Sequence, residues 1–145
     1  MKKDILIEKS LTLVNKQKFN EALELLKEID VDDYKTYFLK GTIYLAQKKI
    51  DLAEKNLIMA TQKNTQNYLI YHNLGLIYQI KNDNDSAKNH FLKAITINEN
   101  IESLSEIGKL YLNENNFDEA EKYLKAALKK DEDHRRTNIR LGNMY

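Results

Sequence analysis

Tyr71-His72-Asn73-Leu74-Gly75-Leu76-Ile77-Tyr78, followed by Ala87 and Phe91, is the stretch that decides the fold. Its glycine belongs to a series. Gly41, Gly75, Gly108 and Gly142 are 34, 33 and 34 residues apart. Each is followed three residues later by a tyrosine: Tyr44, Tyr78, Tyr111 and Tyr145. Twelve residues after the first three glycines stand Ala53, Ala87 and Ala120. Leu57, Phe91 and Leu124 come next, and then Ala60, Ala94 and Ala127. A weaker copy upstream carries Ser10, Leu13, Ala22, Leu26 and Ile29. A fixed period in this range marks stacked repeats.

Within each unit the spacing is helical. Tyr37, Gly41 and Tyr44 share one face, as do Ala53, Leu57 and Ala60. Each unit therefore reads as two short amphipathic helices. Glycine inside a helix costs about 1 kcal/mol relative to alanine. Its recurrence implies a compensating gain, the close approach of the partner helix. Asn20, Asp51, Asp85 and Asp118 are expected as N-caps of the second helices, with capping-box spacing from Asp51 to Glu54 and from Asp118 to Glu121. Asn64, Asn98 and Asp131 mark the stops between units.

The whole pattern resembles the tetratricopeptide repeat, W-x2-L-G-x2-Y…A-x3-F. Residues 68–100 carry it best, with Tyr71, Leu74, Gly75, Tyr78, Ala87 and Phe91. Residues 34–67 and 101–134 match nearly as well. Residues 3–33 form a degenerate unit, and residues 135–145 a truncated unit or capping helix. The resemblance implies a single domain over residues 1–145. That domain is all-α, a right-handed α-solenoid of about four stacked helix-turn-helix units plus a terminal half-unit. The family's proline after the second helix is replaced by Thr65, Glu99 and Glu132, because the chain has no proline. The end at Tyr145 reads as a lone capping helix or, preferably, as the edge of a longer array.

Composition narrows the function. The 145 residues carry a net charge of +1 with 31% charged residues, as in a water-soluble globular chain. No apolar run is long enough to span a membrane, and Ile5-Leu6-Ile7 is too short for a signal-peptide core. The absence of cysteine excludes disulfides and thiolate chemistry and fits a cytoplasmic location. His72, His90 and His134 fall at different places in their units without a metal-site spacing. His90 is expected on the exposed side of its helix. No catalytic constellation or phosphate loop occurs, so no enzyme activity, cofactor or metal is expected. Near-neutral charge with intermixed Lys and Glu argues against nucleic acid. Tyr44, Tyr78 and Tyr111 repeat in register and are expected in the core.

The resemblance implies a non-catalytic module that holds a protein or peptide partner in a concave groove of first helices. The groove candidates are Phe38, Thr42, His72, Asn73, Leu76, Ile80, Glu106, Lys109, Arg136 and Arg140. Phe38, Leu76 and Ile80 form a second apolar stripe that a monomer has little reason to expose, unless they pack between units. The groove is graded, apolar early and basic at Arg136 and Arg140, which suits a segment with an apolar anchor and an acidic end. A carboxylate clamp of the kind found in some relatives is not expected, because Glu102 and Glu106 would repel a carboxylate. Two other readings stand beside this one. The chain could be the repeat domain of a larger enzyme such as a glycosyltransferase, recruiting its substrates, or a scaffold that self-assembles through its array ends.

Overall fold

The computed structural model describes residues 2–29, 32–64 and 66–131. These form eight helices: α1 (Lys2–Asn15), α2 (Phe19–Lys27), α3 (Tyr34–Ala46), α4 (Ile50–Lys63), α5 (Tyr68–Ile80), α6 (Asn84–Ile97), α7 (Ile101–Asn113) and α8 (Phe117–Lys130). Among the described residues there is no strand. The expected half-unit at 135–145, with Arg136 and Arg140, lies outside the described residues, as do Thr65 and Glu132. The helices fall into two compact units, one of α1–α4 and one of α5–α8.

Each unit consists of two helical hairpins, and each hairpin closes on its small residue. A Cβ added to Gly41 would stand 2.6 Å from Leu57 Cγ; at Gly75 it would meet the Phe91 ring at 2.6 Å. At Gly108 it would meet Leu124 at 2.5 Å. Real Cβ atoms do not come so close, so only glycine permits this helix separation. In each case the partner is sixteen residues downstream. Ser10 and Leu26 keep the same spacing in the first hairpin, and both are fully buried. The alanines of the pattern, from Ala22 to Ala127, are fully buried as well.

The turns inside the hairpins obey one rule. Gln17, Lys48, Asn82 and Asn115 all take φ near +60° (60, 61, 61 and 60°). Each closes a Schellman motif. Lys48 donates its backbone N–H to Leu45 O at 3.0 Å, and Lys49 donates to Tyr44 O at 2.8 Å. Asp83 and Asn116 repeat the long bond to Tyr78 O and Tyr111 O, both at 2.9 Å. The periodic tyrosine thus supplies the carbonyl on which the turn closes.

This geometry corrects the expected caps. The second helices begin one residue before Asn20, Asp51, Asp85 and Asp118. Their N-caps are Lys18, Lys49, Asp83 and Asn116. The left-handed residue leads directly into the cap, which fixes its position. Asp83 accepts from Ser86 N at 3.2 Å and Asn116 from Glu119 N at 3.4 Å, whereas the two lysines offer no side-chain cap. Asp51, Asp85 and Asp118 lie in the first helical turn, where a negative charge meets the positive end of the helix dipole. First helices are capped by Asp33, Asn67 and Asn100. Asn64, Asn98 and Asp131 stand at the C-caps, as expected.

Candidate functional site

In the second unit, α5 and α7 are the first helices of successive hairpins. Two side-chain hydrogen bonds link them. His72 Nδ1 and Ser103 Oγ share one at 2.7 Å, and Gln79 donates to Glu106 Oε2 at 3.0 Å. Ser103 is fully buried and Glu106 nearly so. His72 is half-buried, its ring 5.3 Å from that of Phe91. Leu76, also half-buried, packs on the core around Ala87, Phe91, Ile107 and Leu110.

Along α5 the outer line of side chains is apolar at both ends. Leu69 is 40% exposed and Ile80 55% exposed. They are eleven residues apart, which returns to nearly the same helical face about 16 Å further along. Asn73 and Leu76 lie on that face between them, and both are half-buried. Lys109 is exposed on α7. The residues on this face of the unit therefore divide by role. His72, Gln79 and Glu106 tie the helices, Leu76 joins the core to the surface, and Leu69 and Ile80 face solvent.

In the first unit, Phe38 and Thr42 are half-buried on α3, and the Thr42 hydroxyl donates to Phe38 O at 2.9 Å. Leu11 on α1 is 47% exposed. Ile7, Val14 and Leu39 join one apolar cluster with Leu6, Ala22, Leu26, Ile29 and Ile43. Asp33 accepts from Lys3 at 2.8 Å, and Asp32 is paired with Lys63 and accepts from Tyr37. The hydrogen bond to Lys3 is the main cause holding the Asp33 carboxyl below the usual carboxylate range. That to Lys63 does the same for Asp32.

Some residues sit elsewhere than expected. His90 is half-buried, not solvated. Its ring stacks on Tyr78 with centroids 5.0 Å apart, and Nδ1 donates to Ser86 O at 2.8 Å. Tyr111 stacks on Tyr123 at 5.7 Å. Tyr44, Tyr78 and Tyr111 are half-buried rather than in the core; Tyr78 and Tyr111 pack against the edge of the cluster around Phe91. Gln79 as a tie to Glu106 escaped prediction, since helical spacing alone cannot show which polar residues of different repeats meet.

Among the described residues, no three His, Asp or Glu side chains cluster as a metal site, and no helix is long and apolar enough to cross a membrane. Family models of the tetratricopeptide repeat match residues 68–101 and 101–134. This is a tetratricopeptide repeat protein. No curated protein matches it in sequence. Solved structures share its fold, an all-α helical-repeat solenoid. A crystal structure of MamA is 29% identical, with a TM-score of 0.80, over 90% of this chain and 78% of that one. PilF of Pseudomonas aeruginosa is 16% identical with a TM-score of 0.86, over 97% and 66%. YrrB, described as a tetratricopeptide repeat protein with an unusual peptide-binding site, is 22% identical with a TM-score of 0.80, over 97% and 74%. Tetratricopeptide repeats are in general protein-interaction modules without catalysis, and the chain is an interaction scaffold in that general sense.

Proposed function

We propose that this tetratricopeptide repeat protein is a cytoplasmic, non-catalytic scaffold that holds a partner polypeptide on its first-helix face. The observation that carries the reading is the line on α5 of exposed Leu69 and Ile80 with half-buried Leu76 between them. Apolar side chains of this size cost free energy in water, about 25 cal/mol per Å² left uncovered. Their alignment along one helix suits an amphipathic or extended segment laid beside it. The ties from His72 to Ser103 and from Gln79 to Glu106 support it further, because a surface held rigid loses less entropy on binding. Phe38, Thr42, Asn73 and Lys109, with Arg136 and Arg140, complete the proposed contact set within one array over residues 1–145.

The test is a matched capture experiment. Leu69→Ser/Ile80→Ser removes the line, and Ile58→Ser/Phe117→Ser removes two apolar residues exposed on second helices (38% and 52%). A polypeptide retained by the wild type and the second-helix variant, and lost from the first-helix variant, supports the reading. Equal retention by both variants contradicts it. Light scattering across concentration shows whether the captured partner is a second copy of the chain.

A further inference from the structure

The first unit contains a cleft on its second-helix side, away from the first-helix face. It has a volume of about 290 Å³ and lies between α2 and α4, with α3 as its floor. Tyr44 and Lys40 form the floor, and Asn20, Leu23, Glu24, Lys27, Lys49 and Leu52 line the walls. Lys40 is the unusual member. It stands immediately before Gly41, in the register occupied by Leu74 and Ile107 before their glycines, which are 1% and 0% exposed. Here that position holds a half-buried lysine with no hydrogen-bond or ion-pair partner among the described residues. A lysine's long stem can cover apolar surface while its ammonium reaches the cleft, whereas a leucine in the same register would bring no charge there. Of the other walls, Lys27 bonds Glu24 at 2.8 Å, and Lys49 lies over the Tyr44 ring at 6.0 Å.

The second unit shows what fills this position when the chain supplies it. There Lys88 occupies the register of Leu23. Its ammonium lies 4.7 Å from the Tyr111 ring centroid and 2.8 Å from Glu114. Tyr111 is also stacked by Tyr123, in a register that holds Asn56 in the first unit. Leu23 cannot reproduce the Lys88 bridge, and Asn56 offers no ring. Tyr44 and Lys40 therefore both line the cleft without the bridge and the second ring that cover Tyr111.

We infer that the Lys40–Tyr44 cleft is a second binding site, which takes an acidic side chain of a partner polypeptide. The carboxylate meets Lys40, with Lys49 beside it, and an apolar neighbour in the same segment packs on Leu23 and Leu52, the latter 45% exposed. Lys27 engages the one carboxylate of the lining, Glu24, so Lys40 and Lys49 leave the cleft positive and charge complementarity selects the acid, while the flanking leucines favour a peptide over a small anion. The site is distinct from the first-helix face, so either can fail alone.

Lys40→Leu separates binding from folding, because it installs the residue found at position 74. It is expected to melt no lower than wild type. A random-peptide phage library would be panned on the wild type with counter-selection on Lys40→Leu. The expected yield is enriched in Asp or Glu beside Leu, Ile or Val. The best peptide should bind Lys40→Leu about tenfold more weakly. Its amide shift changes in the wild type should centre on Leu23, Tyr44 and Leu52. Yields without acidic enrichment, equal binding to both proteins, or shifts confined to Phe38 and Thr42 would overturn the site. Inorganic phosphate and free glutamate are titrated in parallel. Saturable shifts at Tyr44 with these anions, and no selected peptide, would make it a small-anion pocket and overturn the peptide assignment.

Discussion

The two units share a hairpin but differ in what lies between their first helices. In the second, the seam between α5 and α7 is polar: His72 meets Ser103, and Gln79 meets Glu106. The same registers in the first unit hold Ile7 and Thr36, and Val14 and Leu39. Val14 and Leu39 share one apolar cluster, but Thr36 is left behind. Its hydroxyl is buried without a partner, like that of Ser10. The repeat thus fixes the helix packing within a hairpin, while the seam between hairpins varies from one unit to the next. A seam built from directional hydrogen bonds sets one register, whereas an apolar seam supplies burial with less specificity.

The hairpin is the shared part, and its glycine carries the largest expected effect. Gly75→Ala gains about 1 kcal/mol of helix propensity but forces the buried Phe91 ring aside. The net loss should be roughly 1–2 kcal/mol by urea unfolding. Gly41→Ala, facing Leu57 Cγ and its backbone nitrogen at 3.3 Å, should lose as much. A neutral result in one unit alone would break the claim that the hairpins are alike.

The seams should respond in opposite directions. His72→Leu takes the imidazole from the buried Ser103 hydroxyl and should destabilise by about 1–2 kcal/mol. Thr36→Val replaces an unpartnered buried hydroxyl by a methyl group and should stabilise by about 1 kcal/mol. Thermal melts of both proteins provide the check. A loss at Thr36→Val would mean that its hydroxyl has a partner after all.

The smallest effect concerns acid. Asp33 has its carboxyl held low chiefly by the hydrogen bond from Lys3, so its contribution is present above the ordinary carboxylate pKa. It is lost as pH falls through the lowered value in the folded state. Asp33→Asn keeps an N-cap on α3 but removes that charge. It should cost less than about 1 kcal/mol at neutral pH and flatten the loss of stability below about pH 4. Hydrogen exchange of the α1 and α3 amides against pH measures it. An unchanged acid slope would assign the acid response of this unit to other carboxylates.

Much of this was legible in the chain. The glycine period and the sixteen-residue distance to Leu57, Phe91 and Leu124 predict close hairpins, because only a missing Cβ explains glycine mid-helix. The caps were misplaced by two residues, since the left-handed turn at Lys48 or Asn82 has no glycine to announce it. The spacing of His90 predicts a solvated ring because a helical wheel cannot show that Tyr78 reaches across to stack on it. Leu76 and Ile80 of the second apolar stripe are visible as periodicity, but which members stay in water depends on the neighbouring helices. Leu76 is half-buried against the Phe91 core, and Ile80 is exposed. Lys40 stands in the sequence only as a departure from the Leu-Gly pair of the repeat, and its place in a cleft is seen only in the folded unit.

The most direct measurement is site-specific photocrosslinking in cells, with a benzophenone side chain placed at Ile80 and, separately, at Phe117. Both positions are exposed, to 55% and 52%, so reach does not distinguish them. A discrete partner polypeptide joined from Ile80 and absent from Phe117 is expected. Crosslinks from Phe117 alone, or equally from both, would contradict a partner held on the first-helix face.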